Sequence, residues 1–182
     1  MVKVIAGRLR GKNLLTPEGT DTRPTRSGVR EALFNIWQFR LPDSRFLDLF
    51  AGSGATGIEA LSRGAQSAVF CDRSREAVSV IRKNLAACRL EAEVLEGEAL
   101  SCLARLKGRQ FDLIFLDPPY EGEDGERAAA LILDEGLLAE GGQLCREYEA
   151  SRPPREMPGF ALLSRRRYGR TGLDFYGLSR PD

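Results

Sequence analysis

The sequence predicts an α/β protein with an open, doubly wound, mostly parallel sheet, extended by an N-terminal hairpin and helix and closed by an antiparallel C-terminal strand pair. Three observations carry this. Short apolar runs alternate with segments of helical period through the middle of the chain, the pattern of parallel βαβ units. The first of those runs enters a glycine turn that opens into a helix. Near the end, Ala161–Arg167 and Leu173–Leu178 flank the turn Tyr168-Gly169-Arg170-Thr171-Gly172, which reads as two antiparallel strands.

Taken in order, Lys3–Ala6 and Lys12–Leu15 flank the basic segment Gly7-Arg8-Leu9-Arg10-Gly11 and predict a short hairpin. Next comes Arg23-Pro24-Thr25, then a helix whose apolar face is Val29, Leu33, Ile36 and Trp37. Pro24 disfavours helical geometry at Arg23, so the helix is expected after it, with Thr25 or Ser27 as cap. The core strands are Arg45–Phe50, Ser67–Cys71, Ala92–Leu95 and Phe111–Leu116, and a fifth runs from about Gly142 to Tyr148. Between them Ile58 and Leu61 keep helical spacing, as do Ala77, Val80, Ile81, Leu85 and Cys88, with Ser74 as N-cap of the longer helix.

A chain of 182 residues fits one domain, 1–182, in which 1–40 form the extension and 41–182 the core. No apolar run approaches the roughly 20 residues that span a bilayer. The N-terminus turns polar too early for a signal peptide, so a cytoplasmic protein is expected. Cys71, Cys88, Cys102 and Cys145 lack CxxC spacing and read as small buried apolar residues, with no metal site. Histidine is absent, which removes the commonest general base and the Ser-His and Cys-His nucleophile systems. Chemistry must rest on carboxylates, backbone groups, aromatic rings or a cofactor.

The net charge of +1 hides a division along the chain. Residues 1–40 hold eight Lys/Arg against three Asp/Glu, residues 41–150 hold twelve against twenty, and residues 151–182 hold seven against three. Two basic ends around an acidic middle fit solvated surface charge or a polyanionic partner. Arginine supplies 23 of the 27 cations, which suits forked phosphate contacts, although a GC-rich genome or a thermophilic source gives the same bias.

The segment 46–57 is a strand, a glycine turn and a helix, with Gly52, Gly54 and Gly57 in GxGxxG spacing. Asp72 follows the first glycine by about twenty residues, at the end of the second core strand, where a carboxylate can accept from both ribose hydroxyls of an adenosine. The loop therefore reads as a nucleoside-cofactor site, to which Phe50, Ala51 and Ser53 also belong. A dinucleotide would place its pyrophosphate at the helix N-terminus. Asp48, just before the turn, would repel that group, yet it can meet the amino group of a methionine-like moiety or brace the loop. This favours S-adenosylmethionine (SAM), which has no phosphate. Glu98, with Ala99 beside it, stands after the third core strand, positioned for the adenine or as a favourable acid at a helix N-terminus.

Asp117-Pro118-Pro119-Tyr120 ends the fourth core strand, where ligands bind in open α/β sheets. Two prolines fix the backbone and remove two N–H donors, leaving carbonyls to face the cleft. An exocyclic amine on a base is a poor nucleophile because its lone pair is delocalised into the ring. Hydrogen bonds from its N–H groups to the Asp117 carboxylate and the Pro118 carbonyl draw the nitrogen toward tetrahedral geometry and free the lone pair. Tyr120 can stack on the extruded base. In-line displacement of this kind depends on orientation and needs no histidine.

DPPY at 117–120, with DLFAGSGATG at 48–57, resembles the amino-group methyltransferases that act on adenine N6 or guanine N2. AGRLRGKNL (6–14), RPTRSGVREALFNIW (23–37), GATGIEALSRGA (54–65) and YGRTGLDFY (168–176) narrow this. Over nearly the whole chain the sequence resembles the bacterial 16S ribosomal-RNA guanine-N2 methyltransferase family. The resemblance implies a class I methyltransferase fold of Rossmann-like form, SAM as cofactor and an RNA substrate. It implies that Arg23 and Thr25 lie near the methionine end of SAM and that Arg8, Arg10 and Lys12 contact RNA phosphates. It also implies ribosomal RNA or a small-subunit assembly particle as partner; a monomer is the default expectation for the protein itself. Two positions depart from the family pattern: Asp72 where Glu is frequent, and Glu98 where Asp or Asn is common.

Other readings use fewer of these residues. Adenine N6 in DNA or a protein glutamine would use the same chemistry, but the chain has no separate target-recognition domain. A nicotinamide-dependent oxidoreductase explains GxGxxG and Asp72 and gives DPPY no role. A silent RNA-binding assembly factor leaves an intact Asp117-Pro118-Pro119-Tyr120 unexplained.

Overall fold

The computed structural model describes residues 1–19 and 24–180, with the side chains of Pro24 and Thr25 outside that description. Its elements are β1 (Val2–Lys3), β2 (Asn13–Leu14), α1 (Pro24–Ile36), β3 (Arg45–Leu49), α2 (Ala55–Ser62), β4 (Ser67–Asp72), α3 (Arg75–Ala87), β5 (Glu93–Glu96), α4 (Ala99–Arg105), β6 (Phe111–Leu116), α5 (Asp124–Asp134), β7 (Leu138–Glu149), β8 (Phe160–Tyr168) and β9 (Thr171–Leu178). The seven-stranded sheet has the order β5-β4-β3-β6-β7-β9-β8. Strands β5 to β7 pair in parallel, and β9 runs antiparallel to both β7 and β8. The expected doubly wound core, N-terminal hairpin and antiparallel C-terminal pair are all present.

Alternation along the strands divides the core into two layers. Phe46, Ala68, Phe70, Leu113 and Phe115 point to the face covered by α1, α2 and α3. Leu47, Leu49, Val69, Cys71, Ile114 and Leu116 point to the face covered by α4 and α5. All four cysteines are buried and free, as their spacing predicts. The chain lays β4 and β5 on one side of β3, then crosses to lay β6 and β7 on the other. The carboxyl ends of β3 and β6 therefore diverge into a crevice, the place where this topology binds ligands.

Details of α1, its C-terminal flank and β7 differ from the sequence expectation. Helix α1 begins at Pro24 and not after it, because proline at a first helical position loses only an N–H that has no intrahelical partner. Ile36 is 39% exposed and Phe34 is fully buried in its stead. At 100° per residue the buried stripe runs through Val29, Leu33, Arg30 and Phe34, leaving Ile36 on its outer edge. Trp37 sits just past α1, fully buried, its rings edge-on to Phe46 and Phe175 and its Nε1–H donating to Gln143 Oε1 at 2.8 Å. Strand β7 starts at Leu138, four residues before the expected start, as it passes the irregularity in its pairing with β6. Ser74 caps α3 as expected, its Oγ accepting from Ala77 N at 3.2 Å.

The hairpin is bolted to α2. Glu59, fully buried, accepts the backbone N–H groups of Ile5 and Ala6 at 2.8 and 2.9 Å. Ser62 Oγ donates to Ala6 O at 2.6 Å and accepts from Leu9 N at 3.0 Å. Arg8, Arg10 and Lys12 remain exposed on its outer side.

Candidate functional site

The β3–α2 turn is built for close approach of a ligand. Gly52 and Gly54 take positive φ values of 58° and 79°, and Phe50 takes 67°, a conformation that costs a bulky residue free energy and concentrates at functional sites. A methyl group on Gly57 would overlap the Phe70 ring, so α2 can approach the sheet only with glycine there. A methyl group on Gly52 would meet no protein atom within 4 Å and would project into ligand space.

Two acids hold the turn. Asp48 Oδ2 accepts the Gly57 N–H at 2.9 Å, and burial pushes its carboxyl well above the usual aspartate range, with Asp117 and Asp72 adding to the rise. Asp48 is thus a brace for the loop, one of its two expected roles, and it occupies an N-terminal donor of α2 that a pyrophosphate would need. Asp72 Oδ2 accepts the Gly52 N–H at 2.8 Å and its Oδ1 accepts Ser74 N at 2.8 Å.

Around this turn lie two adjoining cavities. The larger, of about 350 Å³, is walled by Phe50, Asp72, Glu98, Ala99, Asp117, Pro118, Pro119 and Tyr120 from the expected site, with Arg26, Arg73 and Gly97 among its other walls. The smaller, of about 140 Å³, is walled by Phe50, Ala51, Gly52, Ser53 and Asp117, and by Thr56, Arg30 and Glu147. Phe50, Arg26 and Asp117 border both, so Asp117 stands at the seam. Burial raises its carboxyl to about 6, with Arg26 opposing the rise. Tyr120 is 51% exposed at the mouth, its ring free to meet an incoming planar group.

The expected site residues fall into four groups. Phe50, Ala51, Gly52, Ser53, Asp72, Glu98, Ala99 and the four residues of 117–120 wall the cavities. Asp48, Gly54 and Gly57 support the turn from behind it. Arg8, Arg10 and Lys12 line neither cavity and sit on the hairpin. Arg23, and the side chain of Thr25, lie outside the described residues. Sequence reasoning missed Arg26 and Glu147. Arg26 lies one residue past the RPT motif, where its charge was legible. Glu147 was hidden inside a strand, because an acid in an edge-like run reads as solvent-facing.

The larger cavity fits a nucleoside, with the Asp72 carboxylate at one wall and the apolar body of Phe50 at another. The smaller, bounded by the positive-φ glycine turn and two arginines, fits a short charged chain. These features suit SAM: the space beyond Gly52 can accept its methionine, and two N-terminal donors of α2, the Ala55 and Gly57 amides, are already taken by Ser53 Oγ and Asp48.

The fold and this site define a protein of the class I methyltransferase architecture. The family described as Conserved hypothetical protein 95 matches residues 2–177, and the chain belongs to that family. It is 37% identical over 180 residues to "Putative rRNA methyltransferase YlbH" of Bacillus subtilis, spanning 96% of this chain and 98% of that one. It is 34% identical over 181 residues to ribosomal RNA small subunit methyltransferase D of Haemophilus influenzae, covering 97% and 92% of the two chains. The structure of "Putative methyltransferase yhhF" from Escherichia coli superposes with a TM-score of 0.88 at 34% identity, covering 99% of each chain. Among the described residues no helix is long and apolar enough to cross a membrane.

Proposed function

We propose that the protein transfers a methyl group from SAM to the exocyclic N2 amino group of a guanine in small-subunit (16S) ribosomal RNA. The observation that carries this reading is the position of Asp117 at the seam of the two cavities, with Pro118, Pro119 and Tyr120 continuing from it along the wall of the larger. Kinship to ribosomal-RNA methyltransferases supplies the substrate class.

When bound, SAM supplies an electrophilic methyl on a sulfonium. The chain's own residues do the rest. Asp72 accepts from the ribose, and Glu98 and Ala99 border the adenine. Ala51, Gly52 and Ser53 follow the methionine chain, and Arg23 and Thr25 close over its end. Asp117 and the Pro118 carbonyl accept the two N–H groups of the acceptor amine, so its lone pair turns toward the methyl. Tyr120 stacks on the base and fixes its plane. Orientation in a water-poor cleft provides most of the rate. The proton lost from nitrogen passes to solvent at the open mouth or to the Asp117 carboxylate.

Arg8, Arg10 and Lys12 contact phosphates of the RNA, and residues 1–40 and 41–182 act as one unit. The protein works in the cytoplasm as a monomer, on ribosomal RNA or on a small-subunit assembly particle.

The test is incubation with radiolabelled SAM and small-subunit RNA or particles from a strain lacking the gene, followed by nucleoside analysis. Label in N2-methylguanosine that disappears with Asp117→Ala is the expected result. Label in N6-methyladenosine would keep the chemistry and overturn the base. Binding of SAM with no transfer to RNA, DNA or protein would leave a binding factor and defeat the enzyme reading.

A further inference from the structure

Asp117 has an acidic neighbour that the transfer chemistry above does not use. Strands β6 and β7 pair in parallel with Phe115 beside Cys145 and Leu116 beside Arg146. One step further in that register sets Asp117 beside Glu147. Phe115 and Cys145 both bury into the layer under α1 and α2, so by the two-residue alternation Asp117 and Glu147 rise on that same face. Neighbouring strands lie about 4.8 Å apart, which places the two carboxyls side by side. Both wall the smaller cavity, with Arg26 and Phe115 around them. The glycine turn on another wall of that cavity is left to the methionine of SAM, and the base edge reaches Glu147 past Asp117, which borders both cavities.

Two adjacent carboxyls in a desolvated cleft are expensive to maintain. Burial and the charge of Asp117 push Glu147 well above the usual glutamate range, and Arg26 only partly offsets this. Its strand neighbours on this face, Phe115 and Cys145, are apolar, and the one cation that acts on it among the described residues, Arg26, is shared with Asp117. A ligand with two adjacent hydrogen-bond donors would use the pair. The Watson–Crick edge of guanine has that pattern, the N2 amino group next to the ring N1–H. Adenine and cytosine present an unprotonated ring nitrogen in place of N1–H.

We propose that Glu147 is the residue that selects the acceptor base: its carboxyl oxygen accepts the ring N1–H of the guanine whose N2 amino group lies on Asp117. This rests on the guanine-N2 reading and deepens it. A site built to pair with a donor rejects an analogue lacking it by large factors, because the buried acceptor is then left without a partner.

The experiment compares small-subunit RNA carrying guanosine at the methylated position with the same RNA carrying 2-aminopurine there. The analogue keeps the reactive 2-amino group and lacks N1–H. The wild type is expected to prefer guanosine by at least about 100-fold in kcat/KM. Glu147→Leu should bring the two substrates to within about 10-fold of each other, chiefly by losing activity on guanosine. It removes a desolvated carboxyl for an apolar group of similar bulk, so its melting temperature should not fall. Glu147→Gln keeps an acceptor oxygen and should retain most of the guanosine preference. Equal losses on both RNAs, an unchanged ratio, or weakened SAM binding by isothermal calorimetry would each overturn the proposal, the last by assigning Glu147 to the cofactor. Failure of the wild type to methylate guanine N2 at all would instead overturn the reading beneath it, and is seen before any variant is made.

Discussion

Asp72 at the end of β4 accepts the backbone N–H of Gly52 at 2.8 Å, tying the second core strand to the glycine turn of the first. The expected ribose acceptor is therefore also a structural brace. An ionised carboxylate offers about four lone-pair sites, so the bonds from Gly52 and Ser74 leave room for a ligand's hydroxyls. Both functions fail together in Asp72→Ala. Hydrogen bonds to charged groups contribute about 1.5–3 kcal/mol, so SAM binding by calorimetry should weaken roughly 10- to 100-fold. An affinity within about threefold of wild type would remove Asp72 from the cofactor site.

The elevated Asp117 carboxyl makes activity depend on pH with a definite sign. It must be ionised to accept from the amine, so kcat/KM should rise through pH of about 6 and level off above it. Stability runs the other way. The ordinary aspartate value is about 3.9, so between it and about 6 the folded protein holds more proton than the unfolded chain and loses stability as pH rises. Asp117→Asn should abolish that loss and leave the protein more stable at pH 8, on the order of 3 kcal/mol, while lowering kcat by at least about 100-fold. A variant that is both less stable and still active would contradict the assignment.

The architecture was legible in the sequence because short apolar runs, as parallel strands buried on both faces require, alternate with segments of helical period through the middle of the chain. The glycine turn and DPPY were legible because glycine spacing and paired prolines dictate backbone shape whatever packs around them. Glu147 was not, since whether a strand acid faces water or a cleft depends on which strand lies beside it. That neighbour is fixed only by the crossover from β5 back to β6. Helix α5 escaped notice for a similar reason: its buried face is mostly alanine, Ala128 and Ala129 with Ile132, and gives little contrast in apolarity. Glu59 was hidden in a helix of otherwise apolar residues. Its partners, the Ile5 and Ala6 amides, lie more than fifty positions away.

Exposed cations on the hairpin give a salt-dependent prediction. Arg8, Arg10 and Lys12 lie outside both cavities, so replacing all three with alanine should leave SAM affinity unchanged. RNA affinity should fall, and the slope of log K against log salt should shrink by about 0.7–0.9 for each phosphate no longer neutralised. Filter-binding titrations across a salt series measure both. An unchanged slope would place the RNA on another face, with the C-terminal arginines the next to test.

The same hairpin depends on one buried acid, which yields the sharpest stability prediction. Glu59 accepts from Ile5 N and Ala6 N, pairs with Arg63 at 2.8 Å and lies 3.8 Å from Arg30, whose own charge is buried. Burial lowers the proton affinity of Arg30, and Glu59 opposes that effect. Removing the acid strands a buried guanidinium and two backbone donors, so Glu59→Ala should destabilise the fold by about 3–5 kcal/mol. Glu59→Gln retains an acceptor for one of the two amides but not the charge, and should cost less. Urea denaturation gives the stability, and hydrogen exchange at the Ile5 and Ala6 amides shows where it is lost. If the hairpin is held mainly by this acid, those two amides should lose protection in Glu59→Gln before the sheet does. Protection falling uniformly across β3, β4 and β6 would instead mean that Glu59 serves the core and that the other ties, from Ser62, Arg30 and Asn84, carry the hairpin.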